Sequence, residues 1–138
     1  MSTLLKKGNI PLVLTIIYCS VIFAVSSIPG EKLSTLPAPD YIMHTIEYTG
    51  LGILLCWWRL TEGETPLKAL LQAVILGCLY GMTDEFHQYF VPGRSTSATD
   101  WLADTVGTTA GASIMLVVRY LFSRFSYHLH LPDNIHKF

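Results

Sequence analysis

The sequence predicts an all-α integral membrane protein, a bundle of four antiparallel helices with both termini in the cytoplasm. Three observations lead there: charge is scarce, the apolar residues gather in long runs, and the basic residues are spread unevenly between the connections. Of 138 residues, 51% are hydrophobic and 14% charged, against roughly 25% charged in an average soluble domain. Four windows approach the roughly 20 residues that a helix needs to cross hydrocarbon. They are Ile10 to Ile28, Tyr41 to Trp58, Pro66 to Phe90 and Ala98 to Phe122. A chain of this length reads as one membrane domain, 1–138, with no separate soluble unit. The net charge of -1 argues against a nucleic-acid surface.

The first window follows Lys6 and Lys7 and contains Ala24-Val25-Ser26, a combination also found in cleaved signals. It is longer than the usual apolar region of a signal, so it reads as a retained span. Pro29-Gly30 breaks it, and a loop carrying Glu31 and Lys32 leads to Asp40. The second span opens on polar groups. His44, Glu47 and Tyr48 stand three and four residues apart, which makes them near neighbours on one helical face. Trp57-Trp58-Arg59 closes that span with the aromatic and basic residues typical of a membrane interface. Pro66 suits the first turn of the third span.

The third span is apolar until Asp84, whereas the fourth begins polar at Asp100-Trp101 and ends at Arg119 to Phe122. At about 100° per residue, Gly77, Gly81, Asp84 and Gln88 share a narrow arc of the third helix, with Glu85 at its edge and His87 off that face. Asp100, Asp104, Gly107 and Gly111 share a face of the fourth. Glycines at this spacing let membrane helices approach closely, so the packing faces also carry the carboxylates inward. Val91-Pro92-Gly93-Arg94 is predicted to turn between the two helices.

Termini on the cytoplasmic side place Lys6, Lys7, Arg59, Lys68, Arg119, Arg124 and Lys137 inside, leaving only Lys32 and Arg94 outside. His44, Glu47, Asp84, Glu85, Gln88, Arg94, Asp100 and Asp104 then fall at similar depth near the outer face. Ionisable groups at membrane depth are costly and mark a functional site by default. Crowded carboxylates beside a histidine and an arginine suit general acid and base chemistry, proton relay or a divalent ion equally well, so the residues single out no metal or cofactor. Cys19, Cys56 and Cys78 read as apolar filler, and His128, His130 and His136 as a solvated tail.

The run Asp84-Glu85-x-x-Gln88-x-Phe90-x-Pro92-Gly93-Arg94, followed by Asp100, Gly107 and Gly111, resembles the signature of VanZ-like membrane proteins. Ser26-Ser27 and Asp40-x-x-x-His44-x-x-Glu47-Tyr48-x-x-x-Gly52 resemble the same family's first half. Tyr41 stands where that pattern commonly has lysine, and Asp104 where it commonly has asparagine, which makes this site more acidic. The resemblance implies a multi-pass protein of the bacterial inner membrane whose namesake is associated with resistance to the glycopeptide teicoplanin.

The leading expectation is a site that binds or modifies a cell-envelope amphiphile, either a lipid-linked wall precursor or a lipid headgroup. In that expectation Arg94 holds a phosphate, Gln88, Glu47, Asp84 and Asp104 line the site, and Glu85 with His44 or Asp100 supplies acid and base. As an enzyme the protein would be a transferase or hydrolase. The alternatives are a non-catalytic binder of lipid or drug that organises the envelope, and a small ion- or proton-coupled transporter.

Overall fold

The computed structural model describes residues 9–33 and 39–128. Lys6, Lys7, Lys137, His130 and His136 lie outside the described residues. The chain forms α1 (Ile10–Ser26), a single-turn α2 (Gly30–Leu33), α3 (Asp40–Thr61), α4 (Pro66–Gln88) and α5 (Ala98–His128), with no strand among the described residues.

Local chemistry accounts for the helix ends. Asp40 lies in the first turn of α3 and Arg59 in its last, each opposing the helix dipole. Pro66 occupies the first position of α4 after an extended Thr65. The α4–α5 connection turns at Gly93, whose φ of 74° lies in the left-handed region that glycine accepts. That turn also holds α2, because the Gly30 N–H donates to the Pro92 carbonyl at 3.1 Å. The connection carrying Glu31 and Lys32, a loop by its sequence, holds the single turn of α2, which is too short to show any periodicity.

α3 and α5 share the most extensive interface, α4 packs on both, and α1 packs mainly on α3. Glycine sets the α3–α5 distance: a Cβ on Gly52 would meet the Thr108 backbone, and one on Gly107 or Gly111 would meet the backbone at Thr45 or Thr49. Such contact between backbones leaves no space for a side chain. Tyr48, Leu51, Cys56, Ala73 and Ala112 are fully buried around this contact.

The outward faces are apolar. Ile16 and Val21 of α1, Leu71 and Ile75 of α4, and Val106 and Val117 of α5 are all exposed, while Asp84, Gln88, Asp104 and Thr108 are buried. A soluble domain places these classes the other way round. Hydroxyls on the helix surfaces are tied back to their own helices, as with Thr105 Oγ1 to the Trp101 carbonyl, Thr109 Oγ1 to Thr105 and Ser113 Oγ to Thr109. This back-bonding satisfies a donor where no water is available.

Among the described residues, two helices can cross a membrane by length and composition: Pro66–Gln88 and Ala98–Phe125. Their apolar windows are only 22% and 33% buried, unlike the core helix of a soluble protein. The sequence expectation was four spans. α1 has 17 residues, about 25 Å at 1.5 Å per residue and so short of a roughly 30 Å hydrocarbon core. α3 is long enough at 22 residues, but Asp40, Glu47 and Arg59 lower its hydropathy.

Candidate functional site

All eight residues singled out from the sequence lie at one end of the helices: the start of α3, the end of α4, the turn after it and the start of α5. Two buried groupings form there.

The first joins α1 to α4. Ser26 Oγ donates to Asp84 Oδ1 at 2.5 Å and Gln88 Nε2 donates to Asp84 Oδ2 at 3.0 Å. Gln88 follows Asp84 by one helical turn, so the two meet on the face predicted by spacing. Beside them Ser27 Oγ lies 3.0 Å from His87 Nε2, and the His87 ring packs against Phe23 with centroids 4.3 Å apart. His87 therefore sits in the α1–α4 contact, beside Asp84 and outside the cluster of His44, Glu85 and Asp104.

The second draws on α3, α4 and α5. His44 Nδ1 lies 2.8 Å from Asp104 Oδ1, and ligand-capable atoms of His44, Glu85 and Asp104 lie within 4.8 Å of one another. Their residues are 5%, 8% and 0% exposed. Gly81 makes room for this cluster, since a Cβ there would stand 2.7 Å from Asp104 Oδ2. Glu85 Oε2 accepts the Ser97 N–H at 2.7 Å.

Ser97 also caps α5, its Oγ accepting the Asp100 N–H at 3.3 Å. In a capping box the acid three residues on would take the Ser97 N–H. Here Glu85 of the neighbouring helix takes it, so one cap locks α4 to α5. Asp100 is buried, but the carboxylate bonded to His44 is Asp104. Glu47 is half-buried and within electrostatic reach of His44, Asp84, Asp104 and Arg94.

Several buried polar atoms have no hydrogen-bond partner among the described residues: Glu85 Oε1, Asp104 Oδ2, Arg94 Nε and the Tyr48 hydroxyl. The Arg94 side chain is 10% exposed, and its nearest ion-pair partner is Asp40 at 3.9 Å, itself 65% exposed. A long pair to an exposed carboxylate contributes little. The guanidinium is thus held at the rim of the site with bonding capacity to spare.

Ser26 and Ser97 are not among the candidate site residues that the sequence offers. Ser26 had a signal in the Ser26-Ser27 pair of the family resemblance, at the end of the first apolar run. Ser97 had one in the spacing Ser97-x-x-Asp100 ahead of a helix.

Buried ionisable groups at one end of helices with apolar outer faces define an all-helical membrane protein with a polar end. Residues 40–119 match the sequence model of the VanZ/LLP1 family, and the chain belongs to that family. The match spans the helices that carry His44, Glu85 and Asp104, and begins after α1 and its Ser26. No match was found among curated proteins or among solved structures.

Proposed function

We propose that the polar end binds the phosphate-bearing headgroup of a cell-envelope amphiphile, at the outer face of a four-helix bundle whose termini lie in the cytoplasm of a bacterium. The observation that carries this reading is Arg94, whose side chain is nine-tenths buried, with Nε unbonded and a 3.9 Å contact with the exposed Asp40 as its ion pair among the described residues. A guanidinium in that state suits a phosphate, which accepts from it in bidentate fashion and displaces the loose pair.

An apolar groove supports an amphiphile over a soluble anion. It has a volume of about 490 Å³ and is lined by Leu12, Ile16, Phe23, Leu55, Leu76 and Tyr80. Phe23 at one end touches His87, beside the Ser26–Asp84 bond. An acyl or isoprenyl chain in the groove would bring its headgroup towards the polar end. A lipid-linked wall precursor has this chemistry and would connect the protein to glycopeptide tolerance.

The test uses delipidated protein in neutral detergent with phosphatidylglycerol as the probe. Saturable binding is expected, weakened roughly tenfold or more in Arg94→Ala, because a hydrogen bond to a charged group contributes about 1.5–3 kcal/mol. Unchanged affinity in that variant would overturn the reading. Glu85→Gln then separates the two forms of the proposal. A transferase or hydrolase loses product and keeps binding, whereas a non-catalytic binder makes no product in either form.

A further inference from the structure

We propose that His44, Glu85 and Asp104 form a binding site for one divalent transition-metal ion, of the zinc or manganese type. The three side chains come from α3, α4 and α5, and their ligand-capable atoms gather within 4.8 Å. Ligands about 2.0–2.2 Å from a metal ion stand about 2.8–3.1 Å from their neighbours at right angles and about 3.3–3.6 Å apart in a tetrahedral shell. The 2.8 Å between His44 Nδ1 and Asp104 Oδ1, a hydrogen-bond distance, matches right-angle neighbours of a coordination shell and would open by about 0.5 Å in a tetrahedral one.

The independent observation is the pair of orphaned oxygens. Glu85 Oε1 and Asp104 Oδ2 are both buried without a hydrogen-bond partner, on residues more than nine-tenths buried. Leaving one buried polar atom unsatisfied costs about 1–3 kcal/mol, and more when it is charged. Two such atoms in one cluster, beside an imidazole, call for a shared cationic partner. Neither neighbouring cation supplies it: Arg94 forms its loose ion pair with Asp40 and none with Glu85 or Asp104 among the described residues, and His44 reaches Asp104 through Oδ1.

The donor set selects the ion class. One imidazole and two carboxylates without a thiolate suit zinc or manganese better than copper(I), and the imidazole disfavours magnesium and calcium. The surroundings hold the ligands in place: the Ser97 N–H anchors Glu85 Oε2, and the backbone at Gly81 leaves the space that Asp104 occupies. Three protein ligands leave a coordination position open, the arrangement of metal sites that accept a water or a substrate oxygen. A headgroup phosphate oxygen held by Arg94 would be the natural occupant, so this role of the ion rests on the amphiphile reading, while the ion site itself does not.

The experiment uses the full chain in detergent, stripped with chelator and dialysed against Zn²⁺ or Mn²⁺ alone, with bound metal measured by elemental mass spectrometry. About one ion per chain is expected, with affinity reduced roughly 100-fold in Asp104→Asn and in Glu85→Gln, the upper end of the loss seen when a residue supporting a ligand is removed. His87→Gln, which alters the imidazole outside the cluster, is expected to bind normally. Co²⁺ absorption in the wild type gives a readout independent of any variant's folding, with visible bands expected from nitrogen and oxygen ligands. Folded wild type that takes up no ion and shows no cobalt bands would overturn the proposal, as would full-affinity binding in both carboxylate variants. Anionic-lipid binding by the stripped protein separates the two ideas. Lipid held without metal leaves the amphiphile reading intact, and metal held without lipid leaves only the ion site.

Discussion

Asp84 has both carboxylate oxygens satisfied by protein, through Ser26 from α1 and Gln88 from its own helix. This makes it a structural tie, and Ser26→Ala is expected to lower stability by about 1–3 kcal/mol by leaving Oδ1 buried and unpaired. A thermal melt of the detergent-solubilised protein would measure it, and an unchanged midpoint would show that water replaces the hydroxyl. Helical spacing in the sequence was enough to put Asp84 with Gln88, and Asp104 with the glycines Gly107 and Gly111. The bonds between helices were not legible: His44 with Asp104, Ser26 with Asp84 and Glu85 with the Ser97 N–H depend on how each helix is rotated about its axis. Periodicity identifies a face and says nothing of which neighbour it meets.

At the scale of elements, the glycine faces set the spacing on which the site depends. Gly81→Ala adds one methyl 2.7 Å from Asp104 Oδ2 and changes no polar atom. It is expected to displace that carboxylate and weaken ion binding by at least tenfold, at a stability cost of about 1–3 kcal/mol. Ion binding in this variant at wild-type affinity would mean that Asp104 is not a ligand. Gly52→Ala, whose methyl meets the Thr108 backbone rather than a side chain, is expected to destabilise the α3–α5 pair more than Gly81→Ala does, with thermal unfolding as the measure. Hydropathy located the long helices but not their ends. α3 begins at Asp40 and runs to Thr61, past both limits of its apolar window, and α5 continues to His128 beyond Phe122. Helix ends follow caps and hydrogen bonds, such as Ser97 before α5, and these do not coincide with the edges of apolar runs.

For the whole molecule, apolar residues outside and ionisable residues within are the arrangement expected of a chain solvated by lipid. The proposed orientation follows from Arg59, Lys68, Arg119 and Arg124 at one end against Lys32 and Arg94 at the other. A cysteine introduced at Ser95 is expected to react with a membrane-impermeant maleimide on intact cells, and one at Glu62 to be protected. The opposite pattern would invert the topology and place the site on the cytoplasmic side. The central claim is that the polar end holds a ligand through Arg94. Native mass spectrometry of the protein extracted gently from its own membrane, wild type beside Arg94→Ala, tests it most directly. A lipid-sized adduct on the wild type that is lost from the variant is the expected result. A bare wild type, or an adduct held equally by both, would contradict the claim and leave the polar end as a structural plug between helices.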